Sequence, residues 1–259
     1  MRVELEKLEK LGYGKKEAFN SLRTNLSFCG PDIQIITFTS CTPDEGKSSI
    51  VMELGRAVAE DGKKVLIIDA DLRKSVLVGR HQAKSEAGSI KGLSHYLSGQ
   101  AKLADVLCET NIENLNIIFA GRTTPNPTEL LGNRYFDEMI MYARENYDII
   151  LIDSPPLGSV IDTAVIAPKC DGAVVVVEAN KCSYRFIQDI IKQLEVTECK
   201  ILGVVLNKVK IEKGGYYNRY YKRYYKSYYR GYYSGYYTPY YGREDKSSEK
   251  SRGGGKISK

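Results

Sequence analysis

The sequence predicts an α/β fold in which a doubly wound, mostly parallel sheet is flanked by helices. Short apolar runs rich in β-branched residues alternate along the chain with amphipathic segments of helical period. These runs are hydrophobic almost without interruption, as expected of strands that helices cover on both faces. Repeated strand and helix units indicate a parallel sheet. A length of 259 residues, 42% hydrophobic and 27% charged, suits one domain with a sizeable core.

Six segments have the composition of buried strands, and three have the period of amphipathic helices. The predicted strands are residues 33–39, 65–69, 115–119, 148–153, 173–178 and 201–207. The clearest predicted helices are residues 48–60, 133–146 and 184–195. In a parallel sheet the carboxyl ends of the strands share one edge, where ligands of open α/β folds bind.

Composition changes after Ile211, where aliphatic residues almost vanish and Tyr, Gly, Ser, Lys and Arg dominate. Such a segment buries too little apolar surface to offset its ordering entropy. We therefore predict a globular domain over residues 1–211 and a disordered tail over residues 212–259. From residue 208 onward, 14 basic and 4 acidic residues give a net charge of +10, so residues 1–207 carry −4 of the total +6. The body is mildly acidic and the tail strongly basic.

Fourteen of the 20 tyrosines lie in this tail, as pairs that recur every four residues. They are Tyr216, Tyr217, Tyr220, Tyr221, Tyr224, Tyr225, Tyr228, Tyr229, Tyr232, Tyr233, Tyr236, Tyr237, Tyr240 and Tyr241. A phenol is uncharged at neutral pH, and it serves either as an aromatic contact or as a phosphoryl acceptor. The choice between these roles depends on the rest of the chain.

A phosphate-binding loop is predicted where the strand at 33–39 leads into the helix at 48–60. Backbone N–H groups of such a loop, together with the helix N-terminus, face phosphate oxygens. Lys47 is expected to contact the β- and γ-phosphates of ATP, and Ser48 to ligate Mg²⁺. The expected nucleotide-binding residues of the loop are Asp44, Glu45, Gly46, Lys47, Ser48 and Ser49. Taken alone, the motif is equally compatible with an ordinary strand–turn–helix junction.

One position of the loop departs from the usual pattern. Cys41 replaces the first glycine of G-x-x-x-x-G-K-[ST]. We therefore expect the loop to open at Cys41 without positive φ, with Pro43 stiffening the turn.

Polar residues end three of the predicted strands. Asp69 and Asp71 follow the run at 65–69, and Asp153 ends the run at 148–153. These strand ends share an edge with the loop, so the carboxylates are expected to converge on metal and phosphates. Each of these aspartates could by itself be a turn residue. The occurrence of all three at strand ends on one edge of the sheet disfavours that interpretation. Asn207 is expected to hydrogen-bond the adenine edge, although a turn role fits it about as well.

The six cysteines are scattered, without a C-x-x-C motif or a histidine at metal-ligand spacing, which predicts reduced thiols in the cytoplasm. No apolar run reaches the roughly 18 residues that span a bilayer, and the N-terminus is too charged for a signal peptide. Any membrane association is therefore expected to come through a partner or the basic tail.

In combination these features resemble the bacterial protein-tyrosine kinases of exopolysaccharide and capsule systems, in the cytoplasmic form without its own transmembrane half. The resemblance rests on residues 40–49, 69–73 and 153–156, together with the tyrosine cluster. It also includes Gly121 followed by P-N-P-T-E-L-L at 125–131, which has no parallel in generic P-loop ATPases.

The resemblance implies a tyrosine kinase with a P-loop NTPase-like fold that uses ATP and Mg²⁺. It would autophosphorylate its tyrosine cluster and regulate polysaccharide synthesis or export. Lys47, Asp69 and Asp71 would be catalytic, with one aspartate polarising the attacking phenol, whose pKa near ~10 requires a nearby base. Ser48, Asp69 and Asp153 would hold the metal.

The resemblance also implies partners. These are a membrane-bound activator of the polysaccharide chain-length-regulator type, supplied as a separate chain, and a cognate tyrosine phosphatase. The protein is then expected in the cytoplasm, peripheral at the inner face of the cell membrane. Relatives form rings through Glu-x-x-Arg-x-x-Arg. Here Asn20 replaces the middle arginine between Glu17 and Arg23, so self-association is expected to be weaker.

Two other classes of function remain as alternatives. A partitioning-type switch ATPase would share the loop, but such proteins usually begin it with Lys-Gly-Gly, whereas this loop begins Cys41-Thr42-Pro43. A binder of single-stranded nucleic acid would use the interleaved tyrosine and basic residues of the tail. The acidic body and the ATP site disfavour it, so no nucleic-acid partner is expected.

Overall fold

The strands form a single sheet in the computed structural model, which describes residues 1–85 and 88–209. The strands are β1 (Arg2–Leu5), β2 (Ile35–Ser40), β3 (Val65–Asp69), β4 (Ala83–Ser85), β5 (Cys108–Thr110), β6 (Leu115–Ile118), β7 (Ile149–Asp153), β8 (Gly172–Glu178) and β9 (Ile201–Asn207). Their order across the sheet is β4-β1-β5-β6-β3-β7-β2-β8-β9. From β6 to β9 every neighbouring pair is parallel. The predicted doubly wound α/β fold is confirmed.

Helices connect these strands. They are α1 (Tyr13–Ser27), α2 (Lys47–Ala59), α3 (Leu77–His81), α4 (Leu93–Leu97), α5 (Leu103–Val106), α6 (Pro127–Leu131), α7 (Arg134–Asn146), α8 (Asp162–Ile166) and α9 (Tyr184–Glu195), with a 3₁₀ turn at Ala167–Lys169. All three helices predicted from periodicity are present. The Asn133 side chain caps α7 by accepting from the Tyr135 and Phe136 amides at 3.0 and 3.2 Å.

All six strands predicted from apolar runs are present, with ends within two residues of the prediction. Sequence reasoning missed β1, β4 and β5, which extend the sheet beyond β6 and include antiparallel pairs. They are three or four residues long, and β1 alternates exposed and buried side chains. A short strand that buries one face only lacks the continuous apolar run that identifies a central strand.

Two faces of the sheet are covered. On one face α2 packs Ile50, Leu54 and Val58 against buried residues of the central strands, such as Ile67. On the other face the central strands pack against α4 and α7, and β8 packs against α9. Because both faces are covered, the carboxyl edge of the parallel strands is the place left open for a ligand.

The described chain ends at Val209, two residues after β9. The tail predicted over 212–259, with its tyrosine pairs, lies outside the described residues.

Candidate active site

The phosphate-binding loop connects β2 to α2. Gly46, directly before the first helical residue Lys47, has φ +90°, and Asp44 has φ +64°. A Cβ at Gly46 would lie 2.1 Å from the Asn207 side-chain nitrogen, so only glycine fits there. Cys41 is not among the residues with positive φ, as predicted. The loop therefore takes its left-handed turns at positions 44 and 46, not at the position of the missing first glycine.

Glu45 holds the loop from within. Its carboxylate is fully buried and accepts from the Thr42 amide at 2.9 Å. The Glu45 carbonyl accepts from Asn207 Nδ2 at 2.8 Å, and Lys208 Nζ donates to the Asp44 carbonyl at 2.6 Å. The end of β9 is thereby tied to the loop. Glu45 points away from the phosphate side, so the part left for it in nucleotide binding is its backbone N–H.

The acidic residues at the strand ends meet, as the parallel order predicts. Asp69 and Asp153 are register neighbours on β3 and β7, and both are buried. Lys47 Nζ lies 2.6 Å from Asp153 Oδ1. Since these carboxylates flank the lysine of the loop, the structure brings together three of the predicted site residues.

Asp69 is an unusual carboxyl group. Burial, and then the neighbouring Asp153, raise its pKa to about 8. The Ser75 hydroxyl donates to Asp69 Oδ2 at 2.5 Å and opposes this rise, as does Lys47. A carboxyl group with so high a pKa is a stronger base than an ordinary aspartate once it is ionised.

Asp71 lies closer to solvent than Asp69. Its Oδ1 accepts from the amides of Arg73 and Lys74 at 3.3 and 3.0 Å, so it also closes the turn that follows β3. The side chain lines a cleft of about 190 Å³ together with Lys47 and Ser48. Asp71 therefore both closes the turn after β3 and lines the cleft.

Basic side chains also belong to the lining of this cleft. Arg73, Lys74 and Arg80 line it, and Arg80 donates to the Ser49 hydroxyl at 2.6 Å. Cationic groups at this place would face the phosphate end of a nucleotide bound to the loop. Arg80 lies 31 residues from Ser49 in the chain, and no sequence motif marks it.

Arg73 is held in place by a buried carboxylate. Asp162 is fully buried at the start of α8 and accepts from Arg73 Nε at 2.7 Å and from a second guanidinium nitrogen at 3.0 Å. Thr128 on α6 donates to the same carboxylate at 2.5 Å. Thr128 belongs to the P-N-P-T-E-L-L segment, so this segment helps to fix an arginine at the cleft.

The donor set suits Mg²⁺. The Ser48 hydroxyl and the carboxylates of Asp69 and Asp153 are oxygen ligands, which a hard divalent cation prefers. Lys47 engages one oxygen of Asp153, and the other remains free to face a metal. Ser48 lines the cleft from the first turn of α2.

Sequence reasoning did not identify Ser75, Arg80, Thr128 or Asp162 as site residues. Ser75 follows Asp69 by only six residues, so its closeness to the strand end was a usable signal. Asp162 lies 89 residues from Arg73, and only the fold brings the two together.

Comparison with known proteins decides between the classes of P-loop ATPase. The family described as "AAA domain" matches residues 33–205. Tyrosine-protein kinase CpsD of Streptococcus agalactiae is 44% identical over 202 residues, covering 77% of this chain and 87% of that protein. The chain belongs to the bacterial tyrosine-protein kinases of capsule systems. Tyrosine-protein kinase YwqD of Bacillus subtilis is 32% identical over 206 residues, which cover 78% of this chain and 85% of that protein.

Solved structures agree with this family. The chimerical protein CapA2B2 superposes with a TM-score of 0.72 at 30% identity, covering 80% of this chain and 93% of that one. The kinase domain of Escherichia coli tyrosine kinase ETK gives 0.72 at 27% identity, covering 81% and 84%. Septum site-determining protein MinD of Pyrococcus horikoshii, complexed with Mg-ADP, gives 0.58 at 26% identity, covering 70% and 72%. This capsule-type kinase therefore shares a nucleotide-binding fold with the switch ATPases.

Within residues 1–85 and 88–209, no helix has the length and apolar character to cross a membrane.

Proposed function

We propose that this protein transfers the γ-phosphoryl group of Mg²⁺-bound ATP to the tyrosines of its own C-terminal segment, and thereby regulates capsule or exopolysaccharide synthesis or export. The observation that carries the proposal is the meeting of Lys47, Asp69 and Asp153 beside a glycine-dependent phosphate loop. Family membership supports a kinase, and the seven tyrosine pairs supply acceptors in the same chain.

Each group has a defined part in this reaction. The loop amides and Lys47 bind and orient the β- and γ-phosphates, and Arg73 adds positive charge where negative charge develops. Ser48 and Asp153 would hold Mg²⁺, with Asp69 as a third ligand where Asp71 is the base, and the ion would neutralise phosphate charge. Asp69, or Asp71 nearer to solvent, accepts the proton of the attacking phenol. Asn207, already bound to the loop backbone, is proposed to contact the adenine as well.

The setting of the reaction follows from the family. We propose that a membrane-bound activator of the chain-length-regulator type, supplied as a separate chain, recruits the kinase to the inner face of the membrane. A cognate tyrosine phosphatase would reverse the modification. We also propose that the kinase domain spans residues 1–211 and that the tyrosine-rich tail spans residues 212–259.

The test is incubation of the purified full chain with γ-labelled ATP and Mg²⁺, followed by peptide mapping of the label. We expect label on the paired tyrosines and at least a hundredfold less in Lys47→Met, because one preorganised charge at a developing negative charge typically contributes about 10²–10³ in rate. A variant with phenylalanine at all 14 paired tyrosines is the matched control, since it should bind ATP normally and accept no label.

Two outcomes would overturn the proposal. Undiminished label in Lys47→Met would show that the loop does not carry the reaction. ATP hydrolysis by the wild-type chain without any labelled tyrosine would indicate a switch ATPase instead.

A further inference from the structure

Two thiols and a carboxylate meet behind the phosphate loop. Cys41, Glu45 and Cys182 each place one ligand atom within 4.8 Å of the other two. Cys41 and Glu45 are fully buried, whereas Cys182 is half-buried in the segment between β8 and α9. The sequence gave no sign of this cluster, because Cys182 lies 137 residues from Glu45.

The cluster is separate from the nucleotide cleft. The cleft is lined by Asp44, Gly46, Lys47 and Ser48, but by neither Cys41 nor Glu45. Instead, Cys41 packs with the core beneath α9. Any ligand of this cluster would therefore occupy the opposite side of the loop from the phosphates.

The charge of Glu45 lacks a basic partner in the described part of the chain. The two lysines nearby, Lys181 and Lys208, pair with Glu178 at 3.6 and 2.9 Å. Among the described residues, the Glu45 carboxylate meets an amide at 2.9 Å, a second amide at 3.4 Å and the Cys182 thiol at 3.3 Å. A buried carboxylate usually has a cation beside it, and this place is suited to a metal ion.

The geometry fits a tetrahedral metal with soft ligands. Glu45 Oε2 is engaged by the Thr42 amide, so Oε1 faces the Cys182 sulfur. Two thiolates and one carboxylate are a ligand set that Zn²⁺ accepts, with water in a fourth position. Thiolate ligands disfavour Mg²⁺, which prefers oxygen.

We propose that Cys41, Cys182 and Glu45 form a binding site for a thiophilic divalent cation such as Zn²⁺, which joins the phosphate loop to the segment before α9. Binding replaces the protons of the two thiols by two metal–sulfur bonds, and both protons pass to the solvent. No oxidant or reductant takes part. The half-buried Cys182 provides the route of entry.

The test is titration of the metal-free full chain with Co²⁺ in a phosphine reductant, without nucleotide. We expect sulfur-to-cobalt charge-transfer absorption that saturates at one equivalent and disappears when one equivalent of Zn²⁺ is added. Zn²⁺ should also raise the midpoint of thermal unfolding, because it binds the folded state preferentially. All six cysteines and both histidines of the chain lie before residue 200, so the tail adds no thiolate or imidazole background.

Matched variants decide the assignment. Cys41→Ser/Cys182→Ser should lose both the absorption and the thermal shift. Cys29→Ser/Cys170→Ser removes the same number of thiols, each of which donates to the carbonyl four residues earlier, and should keep both signals. Glu45→Gln should weaken binding by at least about tenfold, since even the outer partners of metal ligands contribute that much.

The proposal is overturned if the wild-type chain gives no charge-transfer absorption at one equivalent. It is overturned equally if a folded Cys41→Ser/Cys182→Ser chain keeps that absorption. Should that variant not fold, an unchanged Co²⁺ affinity in Glu45→Gln would reject the site.

Discussion

Among single residues, Asp69 has the environment best suited to accept a proton. It is buried beside Asp153, and this burial and this neighbour raise its pKa to about 8. The exposed Ser75 hydroxyl donates to the same carboxylate. Ser75 is not among the residues that line the cleft, so we expect it to act on the reaction by positioning Asp69 and lowering its pKa.

Replacement of Ser75 should therefore change the pH dependence of the reaction. The hydrogen bond from Ser75 lowers the pKa of Asp69, so its loss in Ser75→Ala raises that pKa. If ionised Asp69 accepts the phenol proton, activity rises as pH increases through this pKa. We expect the rising limb of the kcat profile for autophosphorylation to move to higher pH in Ser75→Ala.

The Ser75→Thr variant keeps a hydroxyl and should retain the wild-type profile. An unchanged limb in Ser75→Ala, with kcat lowered equally at every pH, would mean that Asp69 is not the base and leave Asp71 as the candidate.

At the scale of secondary-structure elements, Asp162 joins three segments around the cleft. It lies in the first turn of α8, accepts from Thr128 of α6, and binds Arg73 in the turn after β3. Burial raises its pKa, but the hydrogen bonds from Arg73 and Thr128 outweigh burial, so the pKa of Asp162 is lowered overall. The ionised form is therefore stabilised in the folded protein.

We expect Asp162→Asn to reduce the free energy of unfolding by about 1.5–3 kcal/mol at neutral pH, the range for hydrogen bonds to charged groups. The lowered pKa means that this stability is present above the usual aspartate pKa and is lost as pH falls through the folded value. Urea unfolding at several pH values should therefore show that the difference in free energy of unfolding between the wild type and Asp162→Asn becomes smaller in acid.

The pair of the exposed Asp137 with the half-buried Lys169 supplies a control. Asp137→Asn should cost no more than about 1 kcal/mol, because exposed ion pairs contribute little. An equal loss of unfolding free energy in the two variants would show that the Asp162 contacts stabilise the protein no more than the Asp137–Lys169 pair does.

Helix α1 carries Asn20, which stands where the resemblance implies an arginine for assembly. Arg23 donates to the Ala57 carbonyl at 3.0 Å and lies 3.3 Å from Asp61, so it already has partners within its own chain. Asn20, one turn earlier, cannot supply the positive charge of the missing arginine. Both observations favour weak self-association.

Light scattering should show more self-association in Asn20→Arg than in the wild-type chain at the same micromolar concentration. Asn25→Arg adds the same charge to an exposed position of the same helix. This variant should have the same average particle mass by light scattering as the wild-type chain. A stable octamer of the unmodified wild-type protein would contradict this prediction.

At the scale of the whole molecule, charge is divided between an acidic body and a basic C-terminal segment of net +10. Each phosphotyrosine adds about −1.5 to −2, so about five to seven modifications would cancel the positive charge. Filling all 14 sites would bring the segment to about −11 to −18. Our hypothesis is that the unmodified segment holds the protein to neighbouring acidic bodies and anionic lipid, and that graded phosphorylation releases it.

Binding to anionic vesicles should therefore weaken in proportion to the number of phosphorylated tyrosines. Phenylalanine in one, three or five pairs should leave progressively more protein bound after incubation with ATP, and high salt should release the unmodified protein. Were a single pair to abolish the whole response, recognition of one specific phosphotyrosine would replace charge counting.

The sequence by itself determined the central sheet and the phosphate loop of this protein. Buried parallel strands must be apolar on both faces, so the run at 65–69 marked a strand without any knowledge of its neighbours. Parallel strands end on one edge, and the order of motifs alone therefore brought Lys47, Asp69 and Asp153 together. The tyrosine pairs needed no structure to be recognised.

Only the tertiary structure decided which side chains support these groups. Arg73 meets Asp162 across 89 residues, and Cys182 meets Glu45 across 137 residues. Such pairs depend on which strands are neighbours and on where the connecting turns point, and neither leaves a local pattern in the chain. Short strands such as Cys108–Thr110 are hidden for a related reason, because their pairing depends on a partner far away in the sequence.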